Sequence, residues 1–264
     1  MKVDSYTDKA TLRTQHIEDH LRRGFDVSLY VHNIENNEGS PKGSAMRLSS
    51  HAFASAMHSW FSEHDMSECK RWCYVGGRLN QFWYQMQDES LSPGTALLDL
   101  LLPLLSDCEE LIQWFADYDR IFYPKRIDNH KTLDFWAYQS RLALRGEMTR
   151  LRERCERAIE DPPTASNHKK HLVDFHFYLG LANGDVEKME SSLREMTTPR
   201  AISGRKNEES GYTEDLISTP AVIYAKMAAR LGYQLKLDSP YIPSEWLPVT
   251  CLDHYESPYT FLSD

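Results

Sequence analysis

The stretch Ser218-Thr219-Pro220-Ala221-Val222-Ile223-Tyr224-Ala225-Lys226-Met227-Ala228-Ala229-Arg230-Leu231-Gly232 carries a start, an apolar stripe and a stop, and so reads as one complete helix. Ser218 or Thr219 offers a cap. Pro220 suits the first turn because its fixed φ is helical and its missing N–H is not needed there. Apolar residues recur at Val222, Ala225, Ala228 and Leu231, Tyr224 and Met227 widen the stripe, and Gly232 stands where a left-handed cap is expected. The pattern predicts a buried helix of about three turns. Beyond it, Tyr233, Leu235 and Leu237 alternate with Gln234, Lys236 and Asp238, and Ser239-Pro240-Tyr241-Ile242-Pro243 imposes an extended backbone. Ser244-Glu245-Trp246-Leu247 is at most one further turn.

Helical punctuation of the same kind dominates upstream. Thr11 to Arg23 carries Leu12, Ile17 and Leu21 and ends at Gly24. Phe25 to Val31 alternates weakly and reads as extended, and Asn33 to Gly43 has loop composition. Ser50 to Glu63 and Ser67 to Gln87 place Trp60, Phe61, Trp72, Tyr74, Phe82 and Trp83 at helical spacing. Ser92-Pro93 opens another helix, Pro103 ends or kinks it, and Ser106 with Glu109 forms a capping-box pattern for the next.

Between Tyr138 and Thr198 a helix, a Gly-acid turn and a second helix occur twice. Gly146-Glu147 and Gly184-Asp185 lie 38 residues apart, and Leu144 falls on Ala182, Leu151 on Met189 and Cys155 on Leu193. Glycine permits a left-handed turn, and the acid after it favours the next helix's N-terminus. The spacing fits a helical-hairpin repeat, and two copies fit an ordinary bundle with two similar turns as well. Arg200 to Tyr212 has the composition of a disordered segment. The expected fold is therefore all-α: an irregular helical bundle or a short array of helical hairpins with tetratricopeptide-like turns, ending in a short extended segment. Residues 1–128 form an N-terminal helical region carrying an acidic segment and 129–264 a helical-hairpin region, or the two make one continuous domain.

Several C-terminal segments also resemble a known family. L-I-S-T-P-A at Leu216 to Ala221, Y-A-K-M-A-A-R-L-G at Tyr224 to Gly232 and D-S-P-Y-I-P at Asp238 to Pro243 are similar to the Immunity protein 49 family of bacterial polymorphic-toxin systems. W-L-P at Trp246 to Pro248 and L-D-H-Y-E-S-P-Y-T-F-L at Leu252 to Leu262 resemble that family's C-terminus. The resemblance implies a cytoplasmic helical antidote that binds a cognate toxin made by the same cell, and it brings no catalytic motif.

Composition sets the bounds. The 264 residues are 41% hydrophobic and 26% charged, ordinary usage for a folded globular chain. Thirty Lys and Arg against 39 Asp and Glu give a formal charge of −9, which disfavours nucleic acid or an anionic membrane as partner. Met1-Lys2-Val3-Asp4-Ser5-Tyr6 leads into a polar segment rather than an apolar signal core, and Ala96 to Leu105 is interrupted by Asp99 and Pro103. Five scattered cysteines (Cys69, Cys73, Cys108, Cys155, Cys251) fit a reducing compartment better than a disulfide framework, so the expected location is the cytoplasm.

The charge is unevenly spread. From Leu79 to Asp119 there is no Lys or Arg but eight acids, while the remainder carries 31 acids against 30 bases. On a helix beginning near Asp107, Leu111, Trp114, Phe115, Tyr118, Ile121 and Phe122 share one face, and Glu109, Glu110, Gln113 and Asp117 the other. Asp88, Glu89, Asp107, Glu109, Glu110, Gln113, Asp117 and Asp119 are therefore the candidate partner-binding residues, matched to a protein with a basic surface. The alternative is that these carboxylates are solvated or pair with the arginine-rich segment Arg141 to Arg157.

Motifs for chemistry are weak. His16 and His20 are four apart on a helix but lack the H-E-x-x-H glutamate, and Cys69 and Cys73 form no C-x-x-C pair. His168, His171 and His176 sit near a helix start and read as surface, and Val75-Gly76-Gly77 lacks a phosphate-loop frame. No catalytic, metal or cofactor-binding residue is nominated. The expected function is a non-enzymatic inhibitor that occludes a toxin's active or substrate-binding surface. A helical-repeat scaffold binding peptides around Tyr138 to Thr198 is the alternative, and a metal-dependent hydrolase using His16, His20 or the later histidines is a remote one.

Overall fold

In the computed structural model, which describes residues 6–87 and 90–262, the helix quoted first is α-helical from Thr219 to Arg230, and every residue from Thr219 to Ala228 is buried. Its neighbours are helical too. Upstream lie α1 (Tyr6–Arg22), α2 (Val27–Glu35), α3 (Pro41–Phe61), α4 (Met66–Gln85), α5 (Pro93–Leu98), α6 (Leu101–Ser106), α7 (Glu109–Asp117) and α8 (Pro124–Ile127). Then come α9 (Leu133–Leu144), α10 (Met148–Glu160), α11 (Ser166–Lys169), α12 (Leu172–Asn183), α13 (Val186–Met196), α14 (Pro199–Gly204) and α15 (Thr219–Arg230). No strand occurs among the described residues, so the fold is all-α.

Local chemistry sets many of the boundaries. Ser40, Ser92 and Thr198 each accept from a backbone N–H of the first turn, and a proline follows each of them. Asp65, Thr132 and Asp185 cap α4, α9 and α13 in the same way. The cap of α15 is different: the Ser218 side chain makes no capping bond, and the Thr219 N–H and hydroxyl both donate to the Glu209 carboxylate. The capping box expected at Ser106 and Glu109 does not form, because the Ser106 hydroxyl donates to Pro103 O and accepts from Cys108 N–H. Leu231 is 44% exposed and leaves the buried stripe.

Helix pairs α3/α4, α10/α12 and α12/α13 make the most extensive contacts. Helix α4 packs on α6, α6 on α15, α5 and α7 on α9, and α13 returns to α15, so one buried apolar cluster runs from Ile17 to Leu262. Each large apolar side chain sealed in it contributes about 1.5–3 kcal/mol. Gly76 and Gly77 of α4 permit this packing, since a Cβ there would meet Leu102 Cδ1 at 2.8 Å and Leu111 Cδ2 at 2.7 Å. The two Gly-acid turns are equivalent: Gly146 and Gly184 have φ of 72° and 70°, and the following N–H groups bond to Leu142 O and Gly180 O.

Two further expectations are corrected. Phe25 to Val31 is not extended: Asp26 caps Leu29 N–H, and α2 runs from Val27 into what read as loop, with α3 starting at Pro41. Arg200 to Tyr212 is ordered, with most of α14, a 3-10 turn at Lys206–Glu208 and a buried Arg205. The period-two run after Gly232 keeps its alternation in burial, Tyr233, Leu235 and Leu237 half-buried between exposed neighbours, in the short extended segment the sequence called for. The chain from Gly232 to Leu262 is a strap broken only by 3-10 turns at Ser244–Trp246 and Thr260–Leu262.

Candidate protein-binding surface

Helix α7 buries Leu111, Ile112, Phe115 and Ala116 and turns Glu109, Glu110, Gln113 and Asp117 to solvent, as its spacing requires. It ends at Asp117, so Ile121 and Phe122 reach the core from the following turn rather than from the same helix. The outer face is not a bare row of carboxylates. Glu109 pairs with Arg230 of α15, and Asp117 accepts from Gln113 Nε2 at 2.9 Å and lies 3.6 Å from Arg145. Half-buried Asp119 accepts from Arg145 and, at 2.9 Å, from the Tyr138 hydroxyl. Glu110 has no ion pair among the described residues. Arg145 is anchored by a 2.7 Å bond to Ala116 O, so the pairing with the arginine-rich segment holds for Asp117 and Asp119. Asp88 and Glu89 lie outside the described residues.

Asp107 is not on this face. It terminates α6 with φ of 56° and is buried beneath the C-terminal strap. Its carboxylate meets Lys226 Nζ at 2.8 Å, Lys70 Nζ at 2.7 Å and Thr250 N–H at 3.1 Å. Lys226 also donates to Trp246 O at 2.9 Å and Pro248 O at 2.8 Å, and Lys70 to Thr250 O at 2.5 Å. Burial pulls the Lys226 ammonium below the ordinary lysine value, and the bond to Asp107 opposes that shift. One carboxylate thus balances two buried ammoniums. An acid so enclosed offers a partner nothing, and Asp107 is removed from the candidate surface.

A second buried ionic cluster was not expected. Arg205 forks across both oxygens of Asp174 at 2.8 and 2.9 Å and donates through Nε to Glu208 at 2.6 Å. Asp174 also accepts from Trp136 Nε1 at 2.7 Å and lies 3.2 Å from His171 Nδ1. Burial acts to raise the Asp174 carboxyl, but Arg205 and His171 hold it below the ordinary carboxylate value. His171 is therefore core, not surface.

The remaining candidates stay apart. His16 is exposed and His20 bonds to the Tyr212 hydroxyl at 3.0 Å. Cys69 and Cys73 are buried, and burial pushes the Cys73 thiol well up. Among the described residues no three His, Cys, Asp or Glu side chains gather as a metal site, and no helix is long and apolar enough to cross a membrane. The sequence did hold one signal for the buried knot: a lysine, Lys226, in the middle of an otherwise apolar stripe calls for a buried carboxylate.

A family model described as Immunity protein 49 matches residues 115–246, half of the chain. The match begins within α7, takes in both Gly-acid hairpins, the Asp174–Arg205 cluster and α15, and stops at Trp246. No curated protein and no solved structure matches.

Proposed function

The chain belongs to the Immunity protein 49 family, and from that premise we propose that it binds a cognate bacterial toxin and neutralises it by covering the toxin's active or substrate-binding surface. The match over residues 115–246 carries this reading. Inhibition by occlusion requires a rigid complementary face and no bond making, and the core beneath α7 supplies the rigidity. The contact assigned to α7 comprises Glu109, Glu110, Gln113 and Asp117, with half-buried Asp119 at its edge. Glu109 and Asp117 remain 68% and 60% exposed despite their arginine partners, so a basic toxin surface can share them. Asp88 and Glu89 belong to the same charge run and are part of the same proposed contact.

Charges of this kind act mainly on association. They steer a basic partner over a Debye length of about 8 Å at physiological ionic strength. Exchanging Glu109, Glu110 and Asp117 for Lys together is expected to slow association with the neighbouring reading frame's product about tenfold and flatten its salt dependence. Unchanged kinetics remove this face from the interface. If that product does not harm cells when expressed alone, or if co-expression of this chain fails to restore growth, the antidote reading falls.

A further inference from the structure

A groove of about 720 Å³ opens on a different part of the molecule from the acidic face of α7. One wall is Tyr6 with Trp60, Phe61 and His64 at the end of α3; the other is the strap from Leu237 to Glu245. Pockets of about 300–1,000 Å³ are the size that encloses a small ligand or a few side chains. Both walls are fixed. Buried Trp246 braces Trp60 and Phe61 edge-on, with ring centroids 6.1 and 5.8 Å away. Tyr6 donates to Leu216 O at 2.9 Å and meets the Tyr241 ring edge-on at 5.1 Å, and Ser218 N–H holds Tyr241 O at 2.9 Å.

The carboxylates described around the groove are Asp238 and Glu245, with His64 on the opposite wall. Among the described residues no Lys or Arg lines the groove, and Asp238 and Glu245, both exposed, take part in no ion pair. Glu245 accepts from its neighbour Ser244. Helix α3 also directs its C-terminal end here, and 21 residues of aligned peptide dipoles place partial negative charge at that end. Aromatic faces, two exposed carboxylates and a helix C-terminus all favour a cation. A planar guanidinium suits such a place better than an ammonium, because it stacks on rings and forks to a carboxylate.

We propose that this groove seats an arginine side chain presented on a loop of the partner protein. That the partner is a toxin rests on the function proposed above; the arginine site itself does not. Two experiments test it. In NMR spectra of the full chain, acetyl-arginine amide shifts the Trp60 indole N–H resonance, whereas neutral, isosteric acetyl-citrulline amide does not, and Asp238→Asn with Glu245→Gln abolishes the response. Equal shifts from both amides, or none from either, overturn the proposal.

With the neighbouring gene's product as probe, Asp238→Lys with Glu245→Lys lowers affinity about tenfold or more while the melting temperature of the free antidote stays unchanged, since both side chains are exposed. Unchanged affinity overturns the proposal. A neighbour that proves not to be a toxin removes the antidote function, and the amide comparison still decides the groove.

Discussion

Asp107→Asn isolates the charge of the buried knot. Asparagine tolerates the left-handed φ of 56° that Asp107 adopts, has the same volume, and keeps an oxygen for the Thr250 N–H. The negative charge goes and one acceptor oxygen becomes an amide NH2, which leaves Lys70 and Lys226 side by side, both buried, with the one amide oxygen and backbone carbonyl oxygens as their remaining partners. Removing one member of a buried ion pair costs about 3–5 kcal/mol, because the survivor is uncompensated. A chain of this length loses about 2 °C of melting temperature per kcal/mol, so the fall should be about 6–10 °C. The deficit shrinks as pH rises, since Lys226, already pulled below the ordinary lysine value by burial, then sheds its proton more readily in the folded state.

Lys70→Met is the contrasting change. It removes the repulsion between two ammoniums, leaves a one-to-one Lys226–Asp107 pair, and frees Thr250 O at the edge of the strap, a cost of about 1 kcal/mol. Urea titration followed by helical circular dichroism measures both, and hydrogen exchange over residues 246–262 reports whether the strap loosens with the knot. An Asp107→Asn cost below about 1 kcal/mol, or a Lys70→Met cost as large, would refute the assignment of Asp107 as the counter-charge that fastens the strap.

Two further outcomes follow from single sites. Burial raises the Glu209 carboxyl to about 7, above its unfolded value, so the bound proton's stabilisation is present at acid pH and lost as pH climbs through that range. Glu209→Gln, which mimics the protonated form against Thr219, should therefore gain about 2 kcal/mol over the native chain between about pH 5 and pH 8, checked by urea titration at both. Gly180→Ala should destabilise by about 1–2 kcal/mol despite alanine's better helix propensity, because its Cβ would meet Met189 N at 3.1 Å and Asp185 O at 3.2 Å, backbone atoms that cannot swing aside. A rise in melting temperature would contradict the close α12–α13 approach.

Elements whose ends carry their own chemistry were legible in the sequence. Ser92-Pro93 starts a helix where expected, and the turns at Gly146 and Gly184 superimpose in φ and in their hydrogen bonds, as a 38-residue offset suggested. Elements fixed from a distance were not. Phe25 to Val31 alternates like a strand, yet Phe25 stacks on Tyr30 at 4.8 Å and lies 4.7 Å from the His51 ring, contacts that helical α2 permits and periodicity cannot show. Arg200 to Tyr212 reads as disordered because its polar residues have no local partners. Arg205 is ordered by Asp174, 31 positions earlier. The groove was equally hidden, since its aromatic wall and its acid-bearing wall are separated by most of the chain.

The fate of the acidic run shows why charge along a sequence does not map directly onto charge on a surface. Leu79 to Asp119 contains no cation, but folding brings Lys70 from α4, Arg145 from the end of α9, and Lys226 and Arg230 from α15 against it. Each of these cations lies beyond one end of the run, so a local count must overstate the exposed negative potential. What survives at the surface is graded: Glu110 without an ion pair among the described residues, Glu109 and Asp117 shared, Asp119 half-buried, Asp107 enclosed. By the same logic Asp238 and Glu245 stand out, although the sequence around them is unremarkable in charge, because folding brings them aromatic neighbours and, among the described residues, no Lys or Arg. Attraction for a basic partner depends on carboxylates that folding leaves unanswered, and by that measure the groove competes with α7 as the proposed contact for a basic partner.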